Sequence, residues 1–410
     1  MGRIVQKFGG TSVGTVEKIK NAADRVLEEV NQGNEVVVVV SAMGKTTDHL
    51  VDMAREISPY PNKREMDMLL TTGEQITISL LSMELNERGH NTVSLTGWQA
   101  GIQTEGVFGN ARITDIETDK IDKLLSSGNI VVVAGFQGVS GGEITTLGRG
   151  GSDTTAVALA AALHADKCDI YTDVTGVYTT DPRYVNSARK LKSVSYDEML
   201  ELANLGAGVL HPRAVEFAKN YKMPLEVRSS TEKENGTIIE EEISMEQNLV
   251  VRGIAFEDNI TRISVFGLPL TGGGISSIFT ALADSHINVD IIIQSVTGEN
   301  ETNLSFSVKT EDVKETLEVL EANRDKIRFA RIETESDLAK VSIVGSGMVS
   351  NPGVAAQMFE VLSSNSISIK MVSTSEIKVS TVVSHSHMLK AVNALHDAFD
   401  LSDALAIKNN

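Results

Sequence analysis

Five consecutive valines, at residues 36–40, constrain the fold of this chain more than any other feature of its sequence. A strand that is apolar on both faces is typical of a parallel sheet that helices cover on both sides. Strand and helix signals alternate through the first half of the chain, which favours a doubly wound α/β layer. We expect helices at residues 16–30, 152–163 and 197–202, and strands at residues 4–8, 36–40, 92–95, 130–134, 168–172 and 225–227.

The chain has 410 residues, more than a single hydrophobic core usually supports, which predicts at least two domains. A polar stretch rich in glutamate, at residues 229–245, marks the expected end of the first domain. Beyond it the chain repeats itself, because residues 263–267 resemble residues 341–345. Each copy continues with a helix and a second strand, at residues 274–282 and 289–293 in the first copy and at residues 353–362 and 367–372 in the second. We therefore expect one domain at residues 1–246 and a repeated region at residues 247–410.

Charge and composition exclude several classes of protein. The formal net charge is -18 and no run is rich in lysine or arginine, which disfavours general attraction to nucleic acid or to an anionic membrane. The one cysteine, Cys168, cannot form an intramolecular disulfide or a thiolate metal cluster, and we expect a buried structural thiol. The sequence shows neither a secretion signal nor an apolar run of membrane-spanning length, so we expect a cytoplasmic protein.

The first candidate phosphate-binding segment begins at Lys7 and reads Lys-Phe-Gly-Gly-Thr-Ser. A lysine ends a strand there, and Gly9 and Gly10 free backbone N–H groups just before an expected helix, which is an arrangement that binds phosphate. The structural alternative is an ordinary glycine turn beside a solvated lysine. Other phosphate motifs are missing, because residues 39–46 lack the first glycine of a P-loop and no protein-kinase or dinucleotide fingerprint occurs.

The second candidate segment, residues 148–153, reads Gly-Arg-Gly-Gly-Ser-Asp and also precedes a helix. Arg149 can grip a carboxylate with two parallel hydrogen bonds. Asp153 is either part of the same site or a plain helix N-terminal carboxylate that the helix dipole stabilises. Because two glycine-rich turns of this kind occur in one domain, we favour a binding site over two unrelated structural turns.

Two further segments carry polar groups that chemistry could use. Glu74 begins a helix that is otherwise largely apolar, where it either caps the helix or binds a cation. Residues 171–183 leave a strand in a polar loop that contains two aspartates, a tyrosine and an arginine. This loop suits either the edge of a nucleotide site or a long surface loop.

Taken together, these segments resemble the bacterial aspartokinases of the amino-acid kinase superfamily, which carry paired ACT domains at the C-terminus. The resemblance covers nearly the whole chain and rests on residues 7–13, 40–44, 73–74, 148–153 and 172–183. It implies an amino-acid kinase fold, doubly wound around a mostly parallel sheet, followed by two ferredoxin-like βαββαβ ACT modules. The first module is expected at about residues 263–338, and the second at about residues 339–405 together with the strand near 249–258.

The resemblance implies transfer of the γ-phosphoryl group of ATP to the β-carboxylate of L-aspartate. The product would be 4-phospho-L-aspartate, the first intermediate toward lysine, threonine, methionine and diaminopimelate. The implied cofactor is ATP with Mg²⁺ bridging its phosphates, with no permanently bound group and no separate metal site on the protein. An attacking carboxylate is already ionised at neutral pH, so the reaction needs no strong general base.

By the same resemblance Lys7 and Asp153 are the catalytic residues, with Lys7 on the moving phosphoryl oxygens and Asp153 orienting the cationic groups. Arg149 would bind a carboxylate of aspartate and Glu74 its ammonium. The full set of substrate-binding residues is Ser41, Thr47, Glu74, Arg149, Gly150, Gly151 and Ser152. The ATP-binding set is Lys7, Phe8, Gly9, Gly10, Thr172, Asp173, Tyr178, Asp181 and Arg183. Residues 211–213, His-Pro-Arg, also fit the family pattern, or else start a helix with solvated side chains.

The ACT modules imply feedback regulation by lysine, threonine or both, bound between modules of neighbouring subunits. This implies a homodimer or a larger assembly, and it allows a shorter partner chain made only of the ACT portion. The expected effector-binding residues are Ile275, Asp290, Ile292, Gln294, Ile369, Ser375 and Glu376. Ser368 stands where some threonine-binding relatives carry asparagine, which favours lysine as the effector.

Two rival functions remain open at the level of sequence. The first is a kinase of the same fold for another carboxylate, such as glutamate or acetylglutamate, or for a nucleoside monophosphate. Glu74, Arg149 and the double ACT region argue against it. The second is a non-catalytic amino-acid sensor, whose phosphate motifs should have decayed. Lys7, Asp153 and both glycine turns are intact, which favours the enzyme.

Overall fold

The computed structural model describes residues 2–205, 209–241, 250–271, 273–298 and 300–402. The described residues form two compact units. Those of Met1–Tyr178, Lys190–Asn204 and Gly208–Gln247 make the first unit, and those of Thr179–Arg189 and Asn248–Asn410 belong to the second. The segment Thr179–Arg189 therefore interrupts the first unit in sequence and packs with the second.

An eight-stranded sheet forms the centre of the first unit. Its strands are β1 (Arg3–Phe8), β2 (Glu35–Val40), β3 (Thr92–Leu95), β6 (Ile130–Ala134), β9 (Lys167–Thr172), β10 (Ser193–Ser195), β11 (Leu225–Ser229) and β12 (Thr237–Glu240). Their spatial order is β10-β12-β11-β9-β1-β2-β6-β3, and every neighbouring pair is parallel except β11 with β12. A smaller sheet, in the order β5-β4-β7-β8, contains β4 (Ile102–Thr104), β5 (Ile113–Ile116), β7 (Gln137–Ser140) and β8 (Glu143–Thr146).

Eight helices of the described residues belong to this unit. They are α1 (Val16–Asn31), α2 (Thr46–Ile57), α3 (Lys63–Leu70), α4 (Thr72–Glu87), α5 (Asp119–Ser126), α6 (Gly151–Ala162), α7 (Tyr196–Asn204) and α8 (Pro212–Tyr221). Val36, Val38 and Val40 of β2 lie in one core cluster with Val26 of α1 and Leu81 of α4. All five valines are buried, which confirms the expected parallel strand covered on both faces. No helix among the described residues of either unit is both long enough and apolar enough to cross a bilayer.

A single antiparallel sheet of six strands organises the second unit. Its strands are β13 (Gly253–Pro269), β14 (Ile292–Val296), β15 (Glu301–Lys309), β16 (Arg331–Val344), β17 (Met371–Thr374) and β18 (Lys378–Ser384), in the order β14-β15-β13-β16-β18-β17. Its helices are α9 (Gly274–Asp284), α10 (Val313–Ala322), α11 (Arg324–Ile327), α12 (Val354–Ser364) and α13 (Met388–Ala398). Two hydrophobic clusters, one around Ile278 and Phe306 and one around Met358 and Val383, correspond to the two expected repeats. The repeats share one sheet because β13 pairs with β16 along most of its length.

The second strand of each repeat begins later than the sequence predicts. We expected strands at residues 289–293 and 367–372, whereas the structure has β14 at Ile292–Val296 and β17 at Met371–Thr374. Ile287 and Ile367 are buried before their strands begin, because each follows its helix directly and packs into the core as a loop residue. The apolar residues of these two segments therefore predicted burial correctly, but they did not predict where each strand begins.

Candidate functional site

A cavity of about 460 Å³ opens at the carboxyl ends of β1 and β2. Ligands of open α/β sheets usually bind at this edge, because turns from neighbouring parallel strands meet there. Residues from both glycine turns, from the end of β2 and from the first turn of α4 line it. They are Lys7, Gly10, Ser41, Ala42, Gly44, Thr47, Glu74, Phe136, Gly148, Arg149, Gly150, Gly151, Ser152 and Asp153.

Lys7 and Asp153 form an ion pair inside this cavity, with 2.5 Å between Lys7 Nζ and Asp153 Oδ1. Lys7 is the penultimate residue of β1, and Asp153 lies in the first turn of α6. Their side chains are mostly shielded from solvent, with 11% and 13% of their surface exposed. Asp153 is therefore more than a helix N-terminal carboxylate, because it holds the lysine that ends the first strand.

The first glycine turn packs closely against the residues that follow β2. A Cβ atom on Gly10 would lie 2.8 Å from the carbonyl oxygen of Ala42, so only glycine fits there. The N–H of Gly44 donates to the carbonyl oxygen of Gly10 at 2.9 Å. On the other side, the N–H of Gly9 donates to the carbonyl oxygen of Tyr171 at 3.2 Å, at the end of β9. The turn thus lies between the ends of β2 and β9, the two strands that flank β1.

The second glycine turn presents Arg149 between two glycines in left-handed backbone conformations. The φ angles of Gly148 and Gly150 are 75° and 70°, which residues with a Cβ atom rarely adopt. Gly150 is the N-cap residue of α6. A Cβ atom on Gly150 would lie 2.1 Å from Cγ of His211, so the turn is in close contact with the start of α8. Arg149 is exposed, and its guanidinium has no ion-pair partner among the described residues.

Glu74 is the most buried charged residue of the cavity, with 3% of its surface exposed. Its Oε1 accepts the N–H of Ala42 at 3.1 Å, whereas Oε2 has no hydrogen-bond partner among the described residues. Burial raises the pKa of this carboxyl group from 4.5 to about 8. A cationic ligand would satisfy the free oxygen and favour the ionised form, so the geometry supports cation binding in addition to a role at the helix start.

Four lining residues are not among the predicted site residues, namely Ala42, Gly44, Phe136 and Gly148. Phe136 follows β6 and has a φ angle of 71°, which is unusual for a residue other than glycine. Its N–H donates to Thr155 Oγ1 at 3.1 Å, which ties the segment to α6. Gly44 has no side chain and contributes backbone atoms to the cavity lining. The Gly-Phe pair after an apolar strand was the available signal for Phe136, but nothing in the sequence distinguishes it from an ordinary turn.

Several predicted ATP-binding residues lie outside this cavity. The side chain of Phe8 is fully buried and stacks on Tyr171, with ring centroids 4.6 Å apart. The ring of Phe8 is therefore part of the core, so only its backbone is placed to contact a nucleotide, and the assignment of Phe8 to ATP binding stays a prediction. Thr172 ends β9 and donates to Asp173 Oδ1 at 3.1 Å.

The remaining predicted nucleotide residues lie farther along the same loop. The hydroxyl of Tyr178 is 2.7 Å from Thr175 Oγ1. Asp181 and Arg183 pair with each other, with 2.5 Å between Asp181 Oδ2 and Arg183 Nη2, and this pairing lowers the pKa of Asp181. Both belong to the segment Thr179–Arg189, which packs with the second unit.

The predicted effector residues fall into two groups, one near edge strand β14 and helix α9 and the other near edge strand β17 of the six-stranded sheet. Ile292 and Gln294 are exposed on edge strand β14, while Ser375 and Glu376 are exposed in the turn after edge strand β17. Asp290 forms an ion pair with the buried Lys340. Ile275 and Ile369 are half-buried on their respective core clusters. The two expected effector segments therefore do not meet within one copy of the chain.

Comparison with known proteins adds independent information. A model of the amino acid kinase family matches residues 2–229, and a model of the ACT domain matches residues 263–323 and 341–399. The chain is 72% identical to an aspartokinase of Bacillus sp. (strain MGA3), with 100% of each chain covered. The chain belongs to the aspartokinase family. This confirms the resemblance and the fold class that the sequence predicted.

Other members of the aspartokinase family show the same similarity. Aspartokinase 2 of Bacillus subtilis (strain 168) is 71% identical over 98% of each chain. The crystal structure of E. coli aspartokinase III in complex with aspartate and ADP is 28% identical, with a TM-score of 0.79, and covers 96% of this chain and 99% of that chain. The same E. coli protein in complex with lysine and aspartate gives a TM-score of 0.75. The likeness to the aspartokinases therefore spans both units.

Proposed function

We propose that this chain is an ATP-dependent aspartate kinase that forms 4-phospho-L-aspartate. One observation carries the proposal: both glycine turns open into one cavity that holds the Lys7–Asp153 pair, the buried Glu74 and the unpaired Arg149. Membership of the aspartokinase family supports the same reaction. An oxygen of the β-carboxylate attacks the γ-phosphorus, the bond from that phosphorus to the bridging oxygen breaks, and ADP leaves.

Glu74 and Arg149 would select the acceptor. The free Oε2 of Glu74 suits the ammonium of an amino acid, and the exposed guanidinium of Arg149 suits a carboxylate. Together the two groups distinguish an amino acid from a plain dicarboxylate, which lacks the ammonium. Ser41, Thr47 and Ser152 line the same cavity and supply further polar contacts.

Lys7 and the first glycine turn would act on the transferred phosphoryl group. Phosphoryl transfer depends mainly on positioning and charge neutralisation, and needs no covalent intermediate. Lys7 can hold Asp153 with one N–H and still donate two others. The N–H of Gly9 already donates to Tyr171, so the N–H of Gly10 is the donor of this turn that would contact a phosphate oxygen, and Asp153 would keep the lysine ammonium in place.

Magnesium fits this site as a partner of the nucleotide. No group of three or more His, Cys, Asp or Glu side chains gathers as a possible metal site among the described residues. Mg²⁺ commonly keeps several waters and binds one or two carboxylates together with substrate phosphates. Asp153 is the cavity carboxylate that suits this role, and the bound ion would neutralise charge on the phosphates.

Within the first unit, the nucleotide would extend from the cavity toward Thr172, Asp173 and Tyr178, while Asp181 and Arg183 stay nucleotide-binding predictions from the sequence resemblance. Strands β1, β9 and β11 are parallel neighbours, so the glycine turn and residues 172–173 follow strands at the same edge of the sheet. E. coli aspartokinase III, a relative of this chain, has been solved with ADP. ATP as the phosphoryl donor follows from this relationship.

The ACT region would regulate the kinase, with lysine as the favoured effector. The two effector segments lie at opposite edges of one sheet, so a complete site would need a second copy of the chain, as in a homodimer. E. coli aspartokinase III has been solved with lysine. A shorter ACT-only partner and a cytoplasmic location remain predictions from the sequence.

An activity assay tests the proposal. Purified protein with ATP and Mg²⁺ should form an acyl phosphate with L-aspartate, trapped as its hydroxamate, and none with L-glutamate. Lysine and threonine, added singly and together, should identify the inhibitor. Equal turnover of L-glutamate, or no acyl phosphate from L-aspartate, would overturn the assignment.

A further inference from the structure

The turn that carries Arg149 is fastened to a neighbouring loop, residues 109–111, by close contacts. A Cβ atom on Gly148 would lie 2.9 Å from Asn110 Oδ1 and 3.1 Å from the carbonyl oxygen of Gly109. The N–H of Ala111 donates to the carbonyl oxygen of Thr146 at 2.9 Å. The turn and the loop therefore form one contact surface, and a displacement of the loop would displace Arg149.

Asp67 of α3 binds both the loop and the strand that leads into the turn. Its Oδ2 accepts the N–H of Gly109 at 3.0 Å and the N–H of Thr146 at 2.9 Å, and its Oδ1 accepts the hydroxyl of Thr146 at 2.8 Å. The residue is fully buried, with none of its surface exposed. A buried carboxylate with three donors is a strong, oriented anchor, because hydrogen bonds to charged groups exceed neutral ones.

Arg213 of α8 binds the same loop and turn from the other side. Its Nη1 donates to the carbonyl oxygen of Leu147 at 2.6 Å and to Asn110 Oδ1 at 3.2 Å, and its Nη2 donates to the carbonyl oxygen of Ala111 at 3.0 Å. Leu147 lies two residues before Arg149. The guanidinium thus holds one end of the arginine turn with donors in a fixed plane, which a lysine ammonium cannot fully reproduce.

We propose that Asp67 and Arg213 are positioning residues that hold Arg149 in place to bind the acceptor carboxylate. They act through the turn and the loop at residues 109–111, and neither is required to touch the substrate. The inference rests on the proposed function, specifically on Arg149 as the residue that binds a carboxylate of aspartate. The His-Pro-Arg segment at residues 211–213 forms the start of α8: His211 caps the helix, Pro212 opens it, and Arg213 reaches back to the turn.

The first test compares kinetic constants of full-length variants with L-aspartate and ATP. Arg213→Met should lower kcat/KM for aspartate about tenfold and leave KM for ATP within about twofold, since hydrogen bonds to a charged group are lost only near the acceptor. Arg213→Lys should recover part of the loss. Asp67→Asn should resemble Arg213→Met, because an amide cannot accept all three hydrogen bonds.

Arg88→Met is the matched control. Arg88, like Arg213, donates to three acceptors, which are the carboxylates of Asp24 and Glu84 and the carbonyl oxygen of Lys20. It lies at the C-terminal end of α4, whereas the cavity residue Glu74 lies at the N-terminal end of that helix. The Arg88→Met variant should be less stable to heat, but it should not lower kcat/KM for aspartate more than kcat/KM for ATP. Equal losses for aspartate and ATP in Arg213→Met, or losses in Arg88→Met that match it, would overturn the inference.

A double-mutant cycle separates this inference from the proposed function. If Arg213 acts through Arg149, adding Arg213→Met to Arg149→Met should change kcat/KM for aspartate by less than about twofold. A full further tenfold loss would overturn the positioning role. If Arg149→Met leaves kcat/KM for aspartate unchanged, the assigned role of Arg149 fails and the inference fails with it. The inference alone fails if Arg149→Met lowers kcat/KM for aspartate while Arg213→Lys, Arg213→Met and Asp67→Asn all leave it unchanged.

Discussion

The ammonium of Lys7 lies 2.5 Å from a carboxylate oxygen of Asp153, although Lys7 is near the end of the first strand and Asp153 is in the first turn of the sixth helix. The pair is largely shielded from solvent, where charges interact more strongly than at a surface. It joins the two glycine turns at one point. In the proposed reaction, this ammonium is the group that would contact the transferred phosphoryl oxygens.

The pH dependence of aspartate use should follow the ionisation of Glu74. Burial raises the pKa of its carboxyl group to about 8, so the free enzyme carries it mainly protonated at pH 7. Because the ionised form binds an ammonium, kcat/KM for aspartate should rise as pH increases toward 8 and level off above it. Glu74→Gln should lower kcat/KM and remove this rise. A pH profile that is the same in the variant and in the wild type would contradict this role.

Gly150 should tolerate no side chain. Gly150→Ala would bring a Cβ atom to 2.1 Å from His211 and would strain a φ angle of 70°. Gly142→Ala is the matched control, since Gly142 has a φ of 87° with no atom within 4 Å of an added Cβ. The control should cost only about 1 kcal/mol of stability. Gly150→Ala should in addition lose most activity with aspartate, and equal activity in the two variants would contradict the packing argument.

The stability of the first unit should depend on pH through Asp169. Burial raises the pKa of this carboxyl group from 3.8 to about 6, although Lys167 lies 3.0 Å away. The folded state therefore binds the proton more tightly than the unfolded chain, and this group's contribution to stability falls as pH rises from about 4 to 6. Asp169→Asn should remove that loss, so its stability advantage over the wild type should be greater at pH 7.5 than at pH 5.

Chemical denaturation of both proteins at the two pH values measures this effect. The difference between the two pH values should be on the order of 1 kcal/mol. Asp197→Asn, at an exposed position, serves as the control and should show no such trend. An advantage of Asp169→Asn that is equal at both pH values would contradict the account.

Much of the first unit could be predicted from the sequence because its central strands β2 and β6 are short, almost wholly apolar runs, and the other strands alternate with clear helix and turn signals. The predicted strands at residues 92–95 and 130–134 coincide with β3 and β6. The small sheet of β4, β5, β7 and β8 was missed because its strands have three or four residues and mixed polarity. Local pattern carries little information at that length.

The candidate site was only partly predictable for a different reason. Lys7, Glu74, Arg149 and Asp153 lie in motifs that the sequence displays directly. Asp67 gives no such signal, since its role depends on Gly109 and Thr146, which approach it only after folding. Phe8 was assigned to ATP because it stands in the glycine motif, and only the sheet geometry shows that its side chain faces the core.

The most direct test of the whole account is the turnover of Lys7→Ala with L-aspartate and ATP. Removal of a charge that stabilises the moving phosphoryl group should lower kcat at least about a hundredfold. Lys20→Ala, at an exposed position on α1, should keep wild-type turnover, and both variants should retain the wild-type circular dichroism spectrum. Near wild-type turnover in a folded Lys7→Ala would contradict the account.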